Sequence, residues 1–286
     1  MFTSSSPLTG GTLTGRFVQH KLQSKHMGGE RTVTVRLPDN YNPSESYPVV
    51  YLQDGQNMFD RRSGFMGQEW NVDETFAQGN ASGALPQAVL VAVHHGPGRN
   101  SEYTHVPDPG YGGGEGEKYE DFFLQELMPA VESTYSVDAD KRVLMGSSLG
   151  GLVSLTMGLN HPSTFAAVAA LSPSVWWADG QLATRTLNSD SPQTKPRLWI
   201  DMGTEEGQTD DFGKRNIQDG KFSERPEGGN GLNDVRDRTR EMGEALLAKG
   251  WKLDQDLRYH EPIGGTHTEG SWAARVGEVA GWALKS

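Results

Sequence analysis

The sequence predicts an α/β fold in which a mostly parallel central sheet has helices on both faces and an antiparallel edge at its N-terminal end. From Val49 onward, short apolar runs alternate with helical patterns, an order typical of parallel sheets. Before Val49, apolar and polar side chains alternate, as in half-buried antiparallel strands. We find no internal repeat or linker, so we expect one domain, 1–286, with loop insertions near 104–116 and 207–231.

The composition argues against several classes of function. A net charge of -11 disfavours nucleic acid or an anionic membrane surface as the main partner, because both would repel the chain. The lack of cysteine excludes disulfides, thiolate metal sites and a cysteine nucleophile. Met1–Arg16 has neither the basic start nor the apolar segment of a signal peptide, so we expect a cytoplasmic protein without a membrane span.

Periodicity and turn residues predict the order of the strands and helices. Residues 1–10 are expected to form a loose terminus, and Gly110–Gly116 a mobile loop. Two edge strands, Thr12–His20 and Arg31–Leu37, are expected to be joined by a hairpin turn at His26–Glu30. The predicted central strands are Val49–Leu52, Ala88–Val93, Val143–Met145, Phe165–Leu171, Arg197–Met202 and Trp251–His260. The predicted helices are Asn71–Gln78, Glu117–Tyr135 with a kink or an early end at Pro129, a helix through Leu152, Leu155 and Leu159 that stops near His161, Asn233–Lys249 and Trp272–Leu284.

A Gly-x-Ser-x-Gly motif at Gly146–Gly150 lies between the strand Val143–Met145 and a helix. A sharp turn from strand to helix lifts a serine hydroxyl clear of the backbone. Glycines two residues before and after the serine leave room for this turn, because they have no Cβ atoms. Ser148 is therefore the predicted nucleophile; the alternative is a Gly/Ser loop without chemistry.

His267 is the predicted general base. A serine hydroxyl is a poor nucleophile near neutral pH, so it needs a base, and the base needs an acid that fixes its tautomer. In folds of this type the chain order is serine, acid, histidine, each in a loop after a strand. His267 lies in a glycine-rich loop after the last predicted strand, whereas His161 ends a helix and His260 lies within a strand. The alternative for His267 is a surface loop histidine.

The acid is expected in the loop that follows the strand Arg197–Met202. Asp201 lies within the strand itself, too early for a loop acid. Position alone does not separate the remaining candidates, which are Glu205, Glu206, Asp210 and Asp211.

The loop Gln53–Asn57 follows a central strand next to the serine turn and includes Gly55. In enzymes with this type of serine turn, a backbone N–H in such a loop helps to bind the oxyanion. Gln56 has the right position, although a polar turn without chemistry is an equal alternative.

Trp176 and Trp177 follow the predicted strand Phe165–Leu171. They could form the wall of a pocket for an apolar acyl or aromatic group. They could equally belong to the core, because tryptophan is a common core residue.

Five sequence blocks occur in an order that resembles the Putative esterase family of α/β-hydrolases, which includes enterochelin esterase, S-formylglutathione hydrolase and feruloyl or acetylxylan esterases. The blocks are Tyr51–Asp60, Gly146–Gly151, Ser172–Trp177, Asp201–Gly207 and His267–Arg275, and the resemblance runs from about Val49 to Trp282. It implies an α/β-hydrolase fold, with Ser148 as nucleophile and His267 as base. It also implies Glu206 as the acid and backbone oxyanion donors at Gln56 and Leu149. We further expect Asp54, Trp176 and Trp177 to line the substrate pocket.

The expected function is that of a serine carboxylesterase that hydrolyses small-molecule esters, with short acyl chains, through an acyl-enzyme. No metal ion and no organic cofactor are required. Acyl transfer by the same triad is one alternative, and a catalytically inactive hydrolase fold that serves as a binding module is another. The sequence predicts no oligomeric state.

Overall fold

The computed structural model describes residues 1–206 and 235–285. The expected insertion at 207–231 and the candidate acids Asp210 and Asp211 lie outside these residues. The strands are β1 (Ser4–Leu8), β2 (Arg16–Gln23), β3 (Glu30–Leu37), β4 (Tyr47–Leu52), β5 (Val89–Val93), β6 (Pro107–Asp108), β7 (Gly112–Gly113), β8 (Val137–Ser147), β9 (Ala167–Leu171), β10 (Arg197–Asp201) and β11 (Leu257–His260). The helices are α1 (Val72–Ser82), α2 (Arg99–Glu102), α3 (Gly116–Phe122), α4 (Met128–Thr134), α5 (Leu149–Asn160), α6 (Trp177–Asn188), α7 (Val235–Ala248), α8 (Glu269–Ala273) and α9 (Val276–Ala283).

The described residues form a nine-stranded sheet with the order β1-β2-β3-β5-β4-β8-β9-β10-β11. Strands β5, β4, β8, β9, β10 and β11 are parallel to one another. Strands β1, β2 and β3 pair antiparallel and join the parallel part through β3 and β5. The predicted fold class, a mostly parallel sheet with an antiparallel N-terminal edge, is confirmed.

Helices cover both faces of this sheet with separate apolar layers. Alternate residues of β4 face opposite layers: Tyr51 packs with residues of α3, α4 and α5, whereas Val50 packs with residues of α1 and α9. Both side chains are fully buried, which explains why β4 appears in the sequence as a continuous apolar run. Within the described residues, no helix combines the length and apolar character needed to cross a membrane.

The first ten residues differ from the expected loose terminus. Ser4–Leu8 forms β1 and pairs antiparallel with β2, and the Phe2 ring stacks on the His20 ring at a centroid distance of 4.0 Å. The segment has no apolar and polar alternation, because its side chains face solvent and backbone hydrogen bonds hold it. Periodicity could therefore not detect this strand.

Three predicted segments are divided or reshaped. The helix expected at Glu117–Tyr135 consists of α3, a π-helical turn at Phe123–Leu127, and α4. Pro129 lies in the first turn of α4, directly after the π-helical turn. The expected terminal helix is divided into α8 and α9. The glycine-rich stretch expected as a mobile loop contains β7, which pairs with β6 in a short antiparallel hairpin.

Candidate active site

Ser148 lies at the sharp turn between β8 and α5. Its backbone has φ 54° and ψ −126°, a strained conformation for a residue with a side chain. The turn is held because Ser148 N–H donates to the Leu171 carbonyl at 3.1 Å. A Cβ atom on Gly146 would lie 2.6 Å from the Gly150 carbonyl, so the close approach across the turn requires glycine.

The Ser148 hydroxyl contacts a second serine. Its Oγ lies 3.2 Å from the Oγ of Ser174, which is 2 % exposed. Ser148 and His267 line the same two cavities, but no hydrogen bond joins their side chains in this structure. The Ser148 hydroxyl is thus paired with the Ser174 hydroxyl.

His267 is oriented by Glu206. Its Nδ1 lies 2.7 Å from Glu206 Oε2, and the Glu206 side chain is 1 % exposed. This contact leaves Nε2 as the ring nitrogen available to a neighbouring hydroxyl. Of the described candidate acids, Glu206 reaches the histidine, whereas Glu205 is exposed and contacts the Gly265 carbonyl through its backbone N–H. Glu206, the acid that the family resemblance implies, is thus the described candidate that contacts His267.

A buried hydrogen-bond network holds Glu206. Its Oε1 accepts the Gly203 N–H at 2.8 Å and the Ser172 hydroxyl at 2.6 Å. The Ser172 Oγ in turn accepts hydrogen bonds from Trp272 Nε1 and from the Arg275 guanidinium, each at 2.9 Å. With two donors directed at its oxygen, the Ser172 hydroxyl can direct its own proton to Glu206.

Asp201 forms the base of this network. It is fully buried, and its two carboxylate oxygens accept hydrogen bonds from Arg275 at 2.8 and 2.9 Å. Trp199 Nε1 and the Ser172 N–H each donate to it as well, at 2.9 Å. As the sequence predicted, Asp201 is not a loop acid. It neutralises the charge of Arg275, the arginine that positions Ser172.

The two amides expected at the oxyanion hole are available for hydrogen bonding. The N–H of Leu149 begins α5, and the N–H of Gln56 lies in a 3₁₀ turn at Gly55–Asn57. Neither N–H donates to any of the described residues. Gln56 lines one of the cavities that reach Ser148.

Asp54 and Arg99 form an ion pair in the wall of that cavity. Arg99 donates to the Asp54 carboxylate through Nε at 2.6 Å and through a terminal nitrogen at 2.7 Å. Burial by itself would lower the pKa of Arg99, but the Asp54 charge raises it above its ordinary value. A Cβ on Gly150 would lie 2.9 Å from Asp54, so the ion pair closes over the start of α5. Tyr103 supports the turn, because its hydroxyl oxygen accepts a hydrogen bond from the Asp54 N–H at 3.2 Å.

Two cavities meet at Ser148 and His267. The first has a volume of about 540 Å³ and includes Asp54, Arg99 and Glu269, whose pKa is raised by burial. The second has a volume of about 440 Å³ and includes Trp176 and Met202 in its wall.

The two tryptophans that follow β9 have different positions. Trp176 is half-buried and lines the second cavity, as expected for a pocket residue. Trp177 is 4 % exposed, lies in the hydrophobic core and donates from Nε1 to the Val106 carbonyl at 2.8 Å. The substrate-pocket role expected for Trp177 does not fit this position, because its ring packs beneath the surface.

Comparison with known proteins identifies the family. Residues 24–280 match the model of the family described as Putative esterase. The chain belongs to this esterase family. It is therefore a carboxylic ester hydrolase, and the resemblance carried by the five sequence blocks is confirmed.

Two bacterial relatives illustrate the range of the family. The esterase is 28% identical over 241 residues to the uncharacterized protein YbbA of Bacillus subtilis, and the match covers 81% of the chain and 84% of YbbA. It is 28% identical over 164 residues to the ferri-bacillibactin esterase BesA of the same organism. This second match covers 51% of the chain and 54% of BesA, so it spans about half of each protein.

Solved structures share the fold of the esterase. The BES protein from Bacillus cereus aligns with a TM-score of 0.68 and 19% identity over 98% of both chains. A ferulic acid esterase aligns with a TM-score of 0.67 and 20% identity over 94% of this chain and 97% of its own. The enterobactin esterase FES from Shigella flexneri aligns with a TM-score of 0.69 and 19% identity over 96% of this chain and 60% of its own. The esterase therefore has the α/β-hydrolase fold.

Sequence reasoning missed three residues that contact or support the site of the esterase. Ser172 and Ser174 were part of a family block, but no residue pattern assigned them a contact with Glu206 or Ser148. Arg275 ends another block and is buried in this structure. The signal that the sequence held for these residues was their place in the family blocks.

Proposed function

We propose that the esterase hydrolyses small-molecule carboxylic esters by a serine mechanism, with Ser148 as nucleophile, His267 as general base and Glu206 as the acid. The main support is the pairing of His267 Nδ1 with the buried Glu206 carboxylate at 2.7 Å beside the cavity that contains Ser148. A buried carboxylate in this position fixes the histidine tautomer and stabilises the imidazolium that forms when the ring takes a proton.

The reaction follows from these positions. His267 Nε2 takes the Ser148 proton while Oγ attacks the ester carbonyl carbon, and the carbonyl oxygen becomes an oxyanion. The free N–H groups of Gln56 and Leu149 are the proposed donors to this oxyanion. His267 then gives its proton to the departing alcohol, and a water molecule, activated in the same way, releases the acid from Ser148. The hydrogen bond between His267 and Ser148 forms on substrate binding, since such contacts commonly tighten in the substrate complex.

We infer a compact substrate from the two cavities. The cavity with Trp176 and Met202 suits an apolar group, and we propose that it takes a short acyl chain. The cavity with Asp54, Arg99 and Glu269 suits a polar group with hydrogen-bonding capacity. Relatives named siderophore triacetylfusarinine C esterase and probable feruloyl esterase C support an ester substrate.

The test is release of p-nitrophenol from acetyl, butyryl and octanoyl esters by the wild type and Ser148→Ala. The variant is expected to lose activity by about a thousandfold or more, because the nucleophile acts as a unit with its base. Ser154→Ala is the matched control, since Ser154 is a fully buried serine of α5 whose hydroxyl forms no hydrogen bond with the described residues. Retention of the wild-type rate by Ser148→Ala would refute the proposal.

A further inference from the structure

Ser174 has a hydroxyl group that the mechanism above does not use. Its Oγ lies 3.2 Å from Ser148 Oγ and forms no other side-chain hydrogen bond among the residues that the structure describes. The residue is 2 % exposed, so its hydroxyl is shielded from bulk water. Ser174 also lines the cavity that holds Trp176, on the same side as Ser148 and His267.

The backbone around Ser174 is tied directly to the serine turn. The Ser174 N–H donates to the Ser148 carbonyl at 3.0 Å, so the two residues are held by both main-chain and side-chain contacts. At the other end of this loop, Ser172 has φ 43°, and its N–H donates to Asp201 at 2.9 Å. The Ser172–Ser174 segment therefore contacts the nucleophile at one end and, through the Ser172 hydroxyl, the acid Glu206 at the other.

The proton transfers of the proposed reaction determine which hydroxyl donates in the hydrogen bond between Ser148 and Ser174. In the proposed reaction the Ser148 proton moves to His267 Nε2, so Ser148 Oγ becomes purely an acceptor as negative charge develops on it. Ser174 is the hydroxyl within hydrogen-bond distance of that oxygen in the described part of the chain. A hydrogen bond to an oxygen that carries charge is stronger than one to a neutral hydroxyl.

We propose, on the basis of the serine mechanism above, that Ser174 is a further catalytic residue that donates a hydrogen bond to Ser148 Oγ while its proton leaves. The same bond stabilises Ser148 Oγ when the acyl-enzyme breaks down and this oxygen is the leaving group. Its action is distinct from that of the Gln56 and Leu149 amides, which serve the carbonyl oxygen of the substrate. No atom of Ser174 is transferred, and its proton remains on Oγ throughout.

The experiment compares Ser174→Ala with the wild type in two reactions that both begin with attack by Ser148. One is hydrolysis of p-nitrophenyl butyrate, and the other is inactivation by phenylmethylsulfonyl fluoride. Loss of one charge-assisted hydrogen bond is expected to lower kcat/KM and the inactivation rate constant by a similar factor, about 10- to 100-fold, through kcat rather than KM. Ser174→Thr, which keeps the hydroxyl, is expected to recover most of the rate, and Ser154→Ala is expected to match the wild type.

A folded Ser174→Ala that reacts with the sulfonyl fluoride as fast as the wild type, or faster, overturns the role of Ser174. If the alanine variant does not fold, Ser174→Gly and Ser174→Thr replace it, and equal rates in these two variants overturn the proposal. Ser148→Ala separates this outcome from a failure of the serine mechanism. Wild-type activity that disappears in Ser148→Ala leaves the mechanism standing whatever Ser174 does, whereas activity that persists there overturns both.

Discussion

Replacement of Arg275 by methionine is expected to destabilise the esterase and to slow catalysis. Arg275 is 8 % exposed and neutralises Asp201, which is fully buried. Methionine keeps most of the length of the side chain but removes two hydrogen bonds to Asp201 and one to Ser172. The substitution therefore leaves a buried carboxylate without its cation while the packing volume changes little.

The expected loss of stability is about 3 kcal/mol. Removal of one partner from a buried ion pair typically costs about 3–5 kcal/mol, because the remaining charge is uncompensated. The lower end applies here because Asp201 keeps two donors, Trp199 Nε1 and the Ser172 N–H. Activity is expected to fall about tenfold, since Ser172 loses one of the two donors that direct its proton to Glu206.

Urea unfolding of Arg275→Met and of the wild type measures the loss in the free energy of unfolding. Arg258→Met is the matched control, because Arg258 pairs with Asp254 at the surface, and it is expected to change stability by less than about 1 kcal/mol. Adding Asp201→Asn to Arg275→Met removes the stranded charge and is expected to recover part of the loss. A loss below about 1 kcal/mol in Arg275→Met, or no recovery in the double variant, would show that this pair does not carry the stability assigned to it.

Three further predictions concern the acid Glu206, His20 of β2 and the pocket. Glu206→Gln is expected to lower kcat by about 10³- to 10⁴-fold in the p-nitrophenyl ester assay, because His267 loses the charge that orients it. Glu205→Gln is expected to stay within about threefold of the wild-type kcat. Similar rates for the two variants would contradict the assignment of Glu206 as the acid. Burial lowers the pKa of His20 to about 4, so its neutral form is favoured in the folded state. The contribution of neutral His20 to stability is present above about pH 6.5 and is lost as the pH falls towards 4, with a slope of at most about 1.4 kcal/mol per pH unit. The urea midpoint of His20→Gln is therefore expected to fall less steeply with decreasing pH than that of the wild type. Trp176→Ala is expected to shift the acyl preference towards longer chains in a series of p-nitrophenyl esters. An unchanged chain-length profile for this variant would exclude Trp176 as a wall of the pocket. Trp177→Ala is expected instead to lower the free energy of unfolding by about 3–5 kcal/mol.

Local patterns were sufficient to predict the fold class and the turn at Ser148. The central strands are continuous apolar runs because both faces of the sheet are covered, and such runs are visible in sequence. The turn requires Gly146 and Gly150 at fixed spacing, which is a local signal. The family resemblance then implied Glu206, a residue that position alone could not select.

Contacts between distant segments could not be predicted in this way. Arg275 and Asp201 are 74 residues apart, and Ser172 and Arg275 are 103 residues apart, so no spacing rule connects them. Trp177 was ambiguous for the same reason, since an aromatic residue after a strand can face a cavity or the core. The π-helical turn at Phe123–Leu127 was missed because its apolar residues fit an ordinary helical period.

The N-terminal strand β1 limits edge-to-edge pairing between copies of the protein. A sheet edge with free N–H and C=O groups can add a strand from a neighbouring chain, which leads to aggregation. Here the outermost strand at that end is short, its residues Ser4–Leu8 are mostly exposed serines, and Pro7 has no N–H to offer. Because β1 pairs with the longer and more apolar β2, it covers the edge of β2 and leaves an edge that is a poor template for pairing with another strand.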